Sequence, residues 1–366
     1  MLDDLLIINE SGSLLFNWHP EGAKESGDDD LLSGFLTAIN SFATHERGED
    51  IKSLKLRETN ILFEKHEELI QKLTFVITTK KFELIELLHL FIHEIMNQFV
   101  TEFKEDLNSE FDGNITPYKK FEDNVNQILH DLGLDVLNSS IQEIDQGNIL
   151  KSIVYIDPNH GNIFYIHAKH YIDKEKLSFL IPLVHNSARL LYQNYLSESL
   201  NWVLLNSVQS ETILVEPRNM IIIVKQFKLY QNLESDFLSL DFFKAEGKYI
   251  KKPNKLIQKF SKIQWQSKQI YFIDLAGDIH YSKIFDNNPN SSDYIPETIS
   301  FLTTAKKATS EIYNRILFNA VIAGEGILTI CINLNNFALI LIDRRSDFKD
   351  FDSIQDHCVR IYTQLI

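Results

Sequence analysis

The chain has 366 residues, 44% hydrophobic and 24% charged, which is enough apolar material for a core in each of two or three domains. Its net charge of -15 lies in residues 1–135, with 27 acidic and 12 basic side chains, while the remainder balances at 24 of each. Phosphate would be repelled by that first part, which argues against nucleic acid as a partner and favours a basic protein surface, unless the charge serves only solubility.

The first predicted element is a hairpin, Leu6-Ile7-Ile8-Asn9-Glu10-Ser11-Gly12-Ser13-Leu14-Leu15-Phe16. Its Asn can cap a tight turn through the side chain, and its Gly suits a positive φ. An acidic run, Asp28-Asp29-Asp30, then precedes Leu32, Phe35, Leu36, Ile39 and Phe42 at helical spacing. Three short β-prone runs follow, at 54–56, 60–63 and 73–77. Ile85, Leu88, Ile92, Ile95 and Phe99 mark a long second helix, and Pro117 opens a third.

The hairpin recurs. Val154-Tyr155-Ile156-Asp157-Pro158-Asn159-His160-Gly161-Asn162-Ile163-Phe164 repeats it with one extra turn residue, and Ile270-Tyr271-Phe272-Ile273-Asp274-Leu275-Ala276-Gly277-Asp278-Ile279-His280 repeats it again. After the second copy, Leu177, Leu180, Val184, Ala188, Leu191 and Tyr195 form a helical face, with Pro182 predicting a kink or a later start. Strands are expected at 202–205, 212–215 and 220–225, and residues 226–268 have the weakest pattern. After the third copy come a helix over 296–312, strands at 316–322, 326–333 and 337–344, and a closing helix through Ile354, Cys358, Ile361 and Leu365. Gly324-Glu325-Gly326 is the expected turn between the first two of those strands. Three related units are therefore expected, at 1–135, 148–263 and 268–366, each α/β (α+β) with a five-stranded, mainly antiparallel sheet and flanking helices.

Strand, strand, helix, three strands, then one or two helices is the order of elements in longin domains. The chain resembles the tri-longin proteins of the longin and roadblock superfamily, whose units pair through a helix and a sheet edge. The resemblance implies a non-catalytic scaffold for a Ras- or Rab-like small GTPase, acting as a guanine-nucleotide exchange factor or part of one. Its alternative is a trafficking adaptor or tether without exchange activity. It also implies a longin or roadblock partner or a homodimer, and no cofactor.

Chemistry-bearing patterns are sparse. His89 and His93 are spaced to share a metal on one helical face, but no third ligand lies nearby, and His167 and His170 read the same way. Cys331 and Cys358 are too few for a disulfide framework, lack metal-ligand spacing and read as core residues. No phosphate-binding loop or nucleophile elbow is present in the sequence, so an enzyme of a familiar class is not expected. A ligand sensor would need a pocket, and strands this apolar predict a filled core.

Two stretches stand out as contact surfaces. Asp28, Asp29 and Asp30 either meet a basic partner loop or cap the first helix, on which Leu31, Leu36 and Phe42 are the expected partner-facing residues. Lys248, Lys251, Lys252, Lys255, Lys259, Lys262 and Lys268 come with no acidic residue between them. They flank a helix bearing Leu256, Ile257, Phe260 and Ile263 that could lie on anionic lipid, dock on the acidic first unit, or close the second unit. The start, Met-Leu-Asp-Asp, lacks a basic leader, and the apolar stretch 327–342 is broken by Asn333, Asn335 and Asn336. A cytoplasmic protein, peripheral to membrane at most, is expected.

Overall fold

The computed structural model describes residues 2–20, 29–80, 84–147, 149–208, 211–228, 253–263, 265, 267–285 and 294–365. The chain is mixed α/β, with antiparallel sheets of five and ten strands among the described residues, and it divides into two compact units, Met1–Asn138 and Ser139–Ile366.

The first unit contains β1 (Leu2–Asn9), β2 (Leu14–Trp18), α1 (Asp29–Arg47), β3 (Ser53–Lys55), β4 (Asn60–His66), β5 (Leu73–Thr79), α2 (Ile85–Glu102), the single turn α3 (Lys104–Leu107) and α4 (Glu122–Asp131). Helix α5 (Leu134–Asp145) carries the chain across the division. The strands lie in the order β2-β1-β5-β4-β3. On one face Phe99 of α2 is an aromatic hub, with ring centroids 4.8 Å from Phe103, 5.1 Å from Phe121, 5.5 Å from Tyr118 and 6.0 Å from Phe75. The opposite face, beneath α1, holds a smaller apolar cluster of Leu6, Ile8, Leu36, Ile61, Phe63 and Val76.

The second unit runs β6 (Leu150–Ile156), β7 (Ile163–Ala168), α6 (Lys174–Leu191), β8 (Trp202–Ser207), β9 (Glu211–Pro217), β10 (Ile222–Lys228), α7 (Pro253–Phe260), β11 (Gln269–Asp274), β12 (Ile279–Ile284), α8 (Ile295–Tyr313), β13 (Leu317–Ala323), β14 (Ile327–Leu334), β15 (Phe337–Arg344) and α9 (Phe351–Leu365). All ten strands form one sheet, ordered β12-β11-β15-β14-β13-β8-β9-β10-β6-β7. Read outward from its middle, each half has the strand order of the first unit's sheet read from β3 to β2. The two halves join where β13 pairs antiparallel with β8, from Leu317 opposite Ser207 to Ala323 opposite Trp202. Residues 148–263 and 268–366, expected as separate units, therefore share one sheet and one compact body. Their third strands, which would otherwise be open edges, satisfy each other.

Helices α6 and α8 pack together on one face of this sheet, in a core that includes Leu180, Val184 and Ala188 from one and Phe301, Ala305 and Ala308 from the other. The second face is covered by α9 and α7. With both faces buried, the central strands read as unbroken apolar runs such as Val203-Leu204-Leu205 and Leu339-Ile340-Leu341.

The three hairpins share one local solution. Asn9 Oδ1 accepts from the amides of Ser11 and Ser13 at 3.1 and 2.9 Å, Asp157 Oδ1 from Asn159 at 2.8 Å, and Asp274 Oδ1 from Ala276 and Asp278 at 2.9 and 3.0 Å. Gly12, Gly161 and Gly277 all have positive φ, and the register shifts just before each capping residue, between Ile7 and Ile8, Tyr155 and Ile156, and Phe272 and Ile273. Pro182 neither delays nor ends α6, which starts at Lys174 on an Asp173 cap. Proline removes the amide that would bond the Ser178 carbonyl. Gly161 lies against that carbonyl, so closely that a Cβ at 161 would stand 2.1 Å from its oxygen.

Candidate functional site

Reactive chemistry is not assembled among the described residues. No group of three or more potential metal-ligating side chains occurs there. His89 and His93 are exposed on α2, His170 is exposed, and His167 Nε2 lies 2.8 Å from Asp145 Oδ1. Both cysteines are fully buried, and burial pushes the Cys331 thiol up to about 12 and the Cys358 thiol higher still, so neither supplies a thiolate at neutral pH. What the fold offers is surface, and its most constructed surface is the platform where the two halves of the second unit meet.

Several contacts lock that platform, most of them between the halves. Asn206 Nδ2 donates to Asn319 Oδ1 at 2.8 Å, Thr212 Oγ1 donates to Asn206 Oδ1 at 2.8 Å, and Asn319 Nδ2 donates to Gln355 Oε1 at 3.2 Å, all buried. Arg315 grips Glu211 with Nε to Oε2 at 2.6 Å and Nη2 to Oε1 at 3.0 Å, a planar two-point ion pair. The Tyr192 hydroxyl donates to the Ile322 carbonyl at 2.6 Å, and Glu198 Oε2 accepts from the amides of Gly326 and Ile327 at 3.2 and 3.1 Å. Tyr195, just past the end of α6, donates to Glu297 Oε1 in the first turn of α8 at 2.8 Å, so the two helices run antiparallel. Outside this packed face α6 exposes Phe179, Leu183 and Leu190, a second apolar stripe at positions i, i+4 and i+11. Periodicity points first to the inner stripe, and the second shows in the sequence as apolar residues at the same period, one or two positions out of phase.

The expected partner-facing residues of the first unit separate. Phe42 is 68% exposed and Leu31 is exposed, whereas Leu36 is 2% exposed and packs onto the sheet. Phe35, assigned to the core stripe from its spacing, is 57% exposed. Asp29 and Asp30 lie in the first turn of α1, and Asp28 lies outside the described residues. Asp29 Oδ2 accepts from Asn17 Nδ2 at 2.8 Å and faces His19 Nε2 at 2.9 Å, while His19 Nδ1 faces Asp4 Oδ1 at 2.8 Å. Burial alone would lower the His19 pKa, but the hydrogen bonds and charges of Asp29 and Asp4 outweigh it and the net shift is upward.

Beside the apolar cluster beneath α1, an open cleft of ≈ 310 Å³ lies between helix and sheet, lined by Thr37, Asn40 and Thr44 of α1 and by Ile8, Phe63 and Val76 of the strands. Buried Asn40 spans part of the gap, its Oδ1 accepting from the Ile51 amide at 3.2 Å.

Of the lysine-rich stretch, Lys248, Lys251 and Lys252 lie outside the described residues, as does the side chain of Lys255. Lys259 in α7 is half-buried, and Lys262 just past its end is exposed. Phe260 is fully buried against Phe272 and Tyr281, and Leu256 and Ile257 pack in the same cluster. The apolar side of α7 is thus used within the fold, and it covers strands of the third repeat rather than closing the second. No helix among the described residues is long and apolar enough to cross a membrane. No protein-family model matches this chain, and no curated protein matches it.

Proposed function

We propose that the chain is a non-catalytic scaffold of the tri-longin kind that binds a Ras- or Rab-like small GTPase, as an exchange factor or part of one. The observation that supports this reading is the β8–β13 seam: two blocks of the same strand order joined edge to edge, with the helices that follow their hairpins packed antiparallel over the joint. Pairing through a helix and a sheet edge is what longin and roadblock units do. Beside that joint, exposed Phe179, Leu183 and Leu190 supply an apolar stripe for a partner, with Phe179 as its aromatic member. An exchange factor needs no reacting side chain, because it speeds nucleotide loss by binding preferentially the GTPase conformation that holds nucleotide weakly.

The test is release of a fluorescent guanine nucleotide from each small GTPase of the source organism, with and without the full chain. Acceleration confined to one GTPase, and lost in Phe179→Asp and Leu183→Asp, is the expected result. Binding without acceleration identifies the adaptor instead, and neither binding nor acceleration with any GTPase refutes the proposal. Membrane contact in that adaptor would rest on lysine charge, since the apolar side of α7 is already buried.

A further inference from the structure

We infer that the cleft between α1 and the sheet of the first unit binds a small zwitterion with an apolar side chain, the chemistry of a free aliphatic or aromatic amino acid. At ≈ 310 Å³ it stands at the small end of the roughly 300–1,000 Å³ typical of ligand sites, which suits a compact metabolite. Its lining is graded along the strands. The register sets Val76 of β5 beside Phe63 of β4, and two residues away it sets Thr74 between Ile8 of β1 and Lys65 of β4. One residue beyond the ends of the same three strands come Glu10, Lys72 and Glu67. The floor therefore passes from apolar to polar to charged, and a ligand that matches it has an apolar body and a charged head.

Polar groups that the fold leaves unused define that head. Asn40, on the helix side of the cleft, is only 8% exposed, and its Oδ1 is taken by the Ile51 amide. Its Nδ2 donates to nothing among the described residues. At the mouth Lys65 is engaged by Asp50, but no ion pair among the described residues engages exposed Lys72, Glu10 or Glu67. A ligand carboxylate supplies the acceptor that Asn40 and Lys72 lack, and a ligand ammonium supplies the charge that Glu10 and Glu67 lack. A bare anion would be opposed by those two carboxylates and by a unit with 27 acidic against 12 basic side chains in residues 1–135. A bare cation would leave the Asn40 and Lys72 donors without an acceptor. A zwitterion answers both.

Calorimetric titration of the full chain with leucine, methionine and phenylalanine, up to about 10 mM so that millimolar dissociation constants register, tests this without any GTPase. Saturable binding of at least one of them is expected, with a matching rise in melting temperature. The deaminated acid and the decarboxylated amine of that amino acid, each lacking one charge, should bind at least about tenfold more weakly, the loss that goes with a missing charged hydrogen bond. Lys72→Glu, at an exposed position, should weaken binding to the same degree and leave the melting temperature of the free protein unchanged. Thr74→Phe fills the cleft floor and should abolish binding, whereas Phe179→Asp in the second unit should not alter it. No binding by any of the three amino acids, an acid or amine analogue that binds as tightly as its parent, or an affinity indifferent to Lys72→Glu overturns the inference.

Discussion

Asn206 and Asn319 face each other across the middle of the ten-stranded sheet, one from each half, with Nδ2 of the first 2.8 Å from Oδ1 of the second. Both are buried in strands that are otherwise largely apolar, and their remaining amide groups are taken up by Thr212 and Gln355. Apolar side chains alone tolerate a slipped register, whereas slipping this seam would strand buried amides. Replacing either residue with Leu should cost about 2–4 kcal/mol, mostly from the orphaned partner. The double replacement should cost less than the sum of the two. Urea unfolding of the four proteins in the cycle checks this, and strict additivity would show that the pair is not coupled.

Gly161 has the least tolerant position of the three hairpin glycines. All three have positive φ, which costs an L-residue about 1–2 kcal/mol. At Gly12 and Gly277 a Cβ meets only side-chain atoms, at 3.4 and 3.6 Å, but at Gly161 it would collide with the Ser178 carbonyl. Gly161→Ala should therefore destabilise the second unit by at least ~3 kcal/mol, and Gly12→Ala and Gly277→Ala their own blocks by ~1–2 kcal/mol. Equal losses at all three positions would remove the special role given to the carbonyl that Pro182 leaves without its helical partner.

The hairpins were legible in the sequence because their determinants are local: one Asn or Asp to cap the turn and one Gly to accept the positive φ. The seam was not. Val203-Leu204-Leu205 and Ala320-Val321-Ile322 announce strands buried on both faces, but that pattern is the same whether the neighbour belongs to one's own block or another. Helix α1 was legible as a helix and misread as a face. Leu32 and Leu36 turn toward the sheet and Phe35 and Phe42 away from it, and a period of 3.6 cannot separate two adjacent apolar stripes. For α7 the apolar side was recognised and its destination was not, because packing beneath β11 and β12 is a choice made at long range.

His19 should make the first unit pH-sensitive. It bridges Asp4 on β1 and Asp29 at the start of α1 with both ring nitrogens, an arrangement that only the doubly protonated imidazolium satisfies fully. Burial opposes the charge, but the two carboxylates more than offset it and raise the folded pKa above 6.5. The stabilisation is therefore fully present below pH 6.5 and lost as pH rises through the folded value. Thermal unfolding of the native chain and of His19→Gln should differ most in mild acid and converge above neutrality. A gap that widens with rising pH would contradict the bridge.

Asp343 should act on the second unit over a lower pH range. It is buried near the end of β15, where Ser267 Oγ donates to Oδ2 at 3.3 Å. Burial raises its carboxyl from 3.8 to about 6, with Asp347 adding to the rise and the contacts from Ser267 and Lys268 opposing it. Below pH 3.8 the group is protonated in folded and unfolded chains alike. Between 3.8 and about 6 only the unfolded chain ionises, so stability falls as pH rises, by about 3 kcal/mol in total, and then levels off. Asp343→Asn keeps the shape and stays neutral, so it should match the native protein near pH 4 and be more stable by ~2–3 kcal/mol at pH 7. Other carboxylates cancel in that difference, among them Asp157 and Asp274, whose pKa values are lowered because the amide, backbone and histidine hydrogen bonds they accept outweigh burial. Urea unfolding at four pH values gives the result directly: a constant offset between the two proteins, or a less stable asparagine variant at pH 7, would mean that burial does not raise the Asp343 carboxyl in the fold.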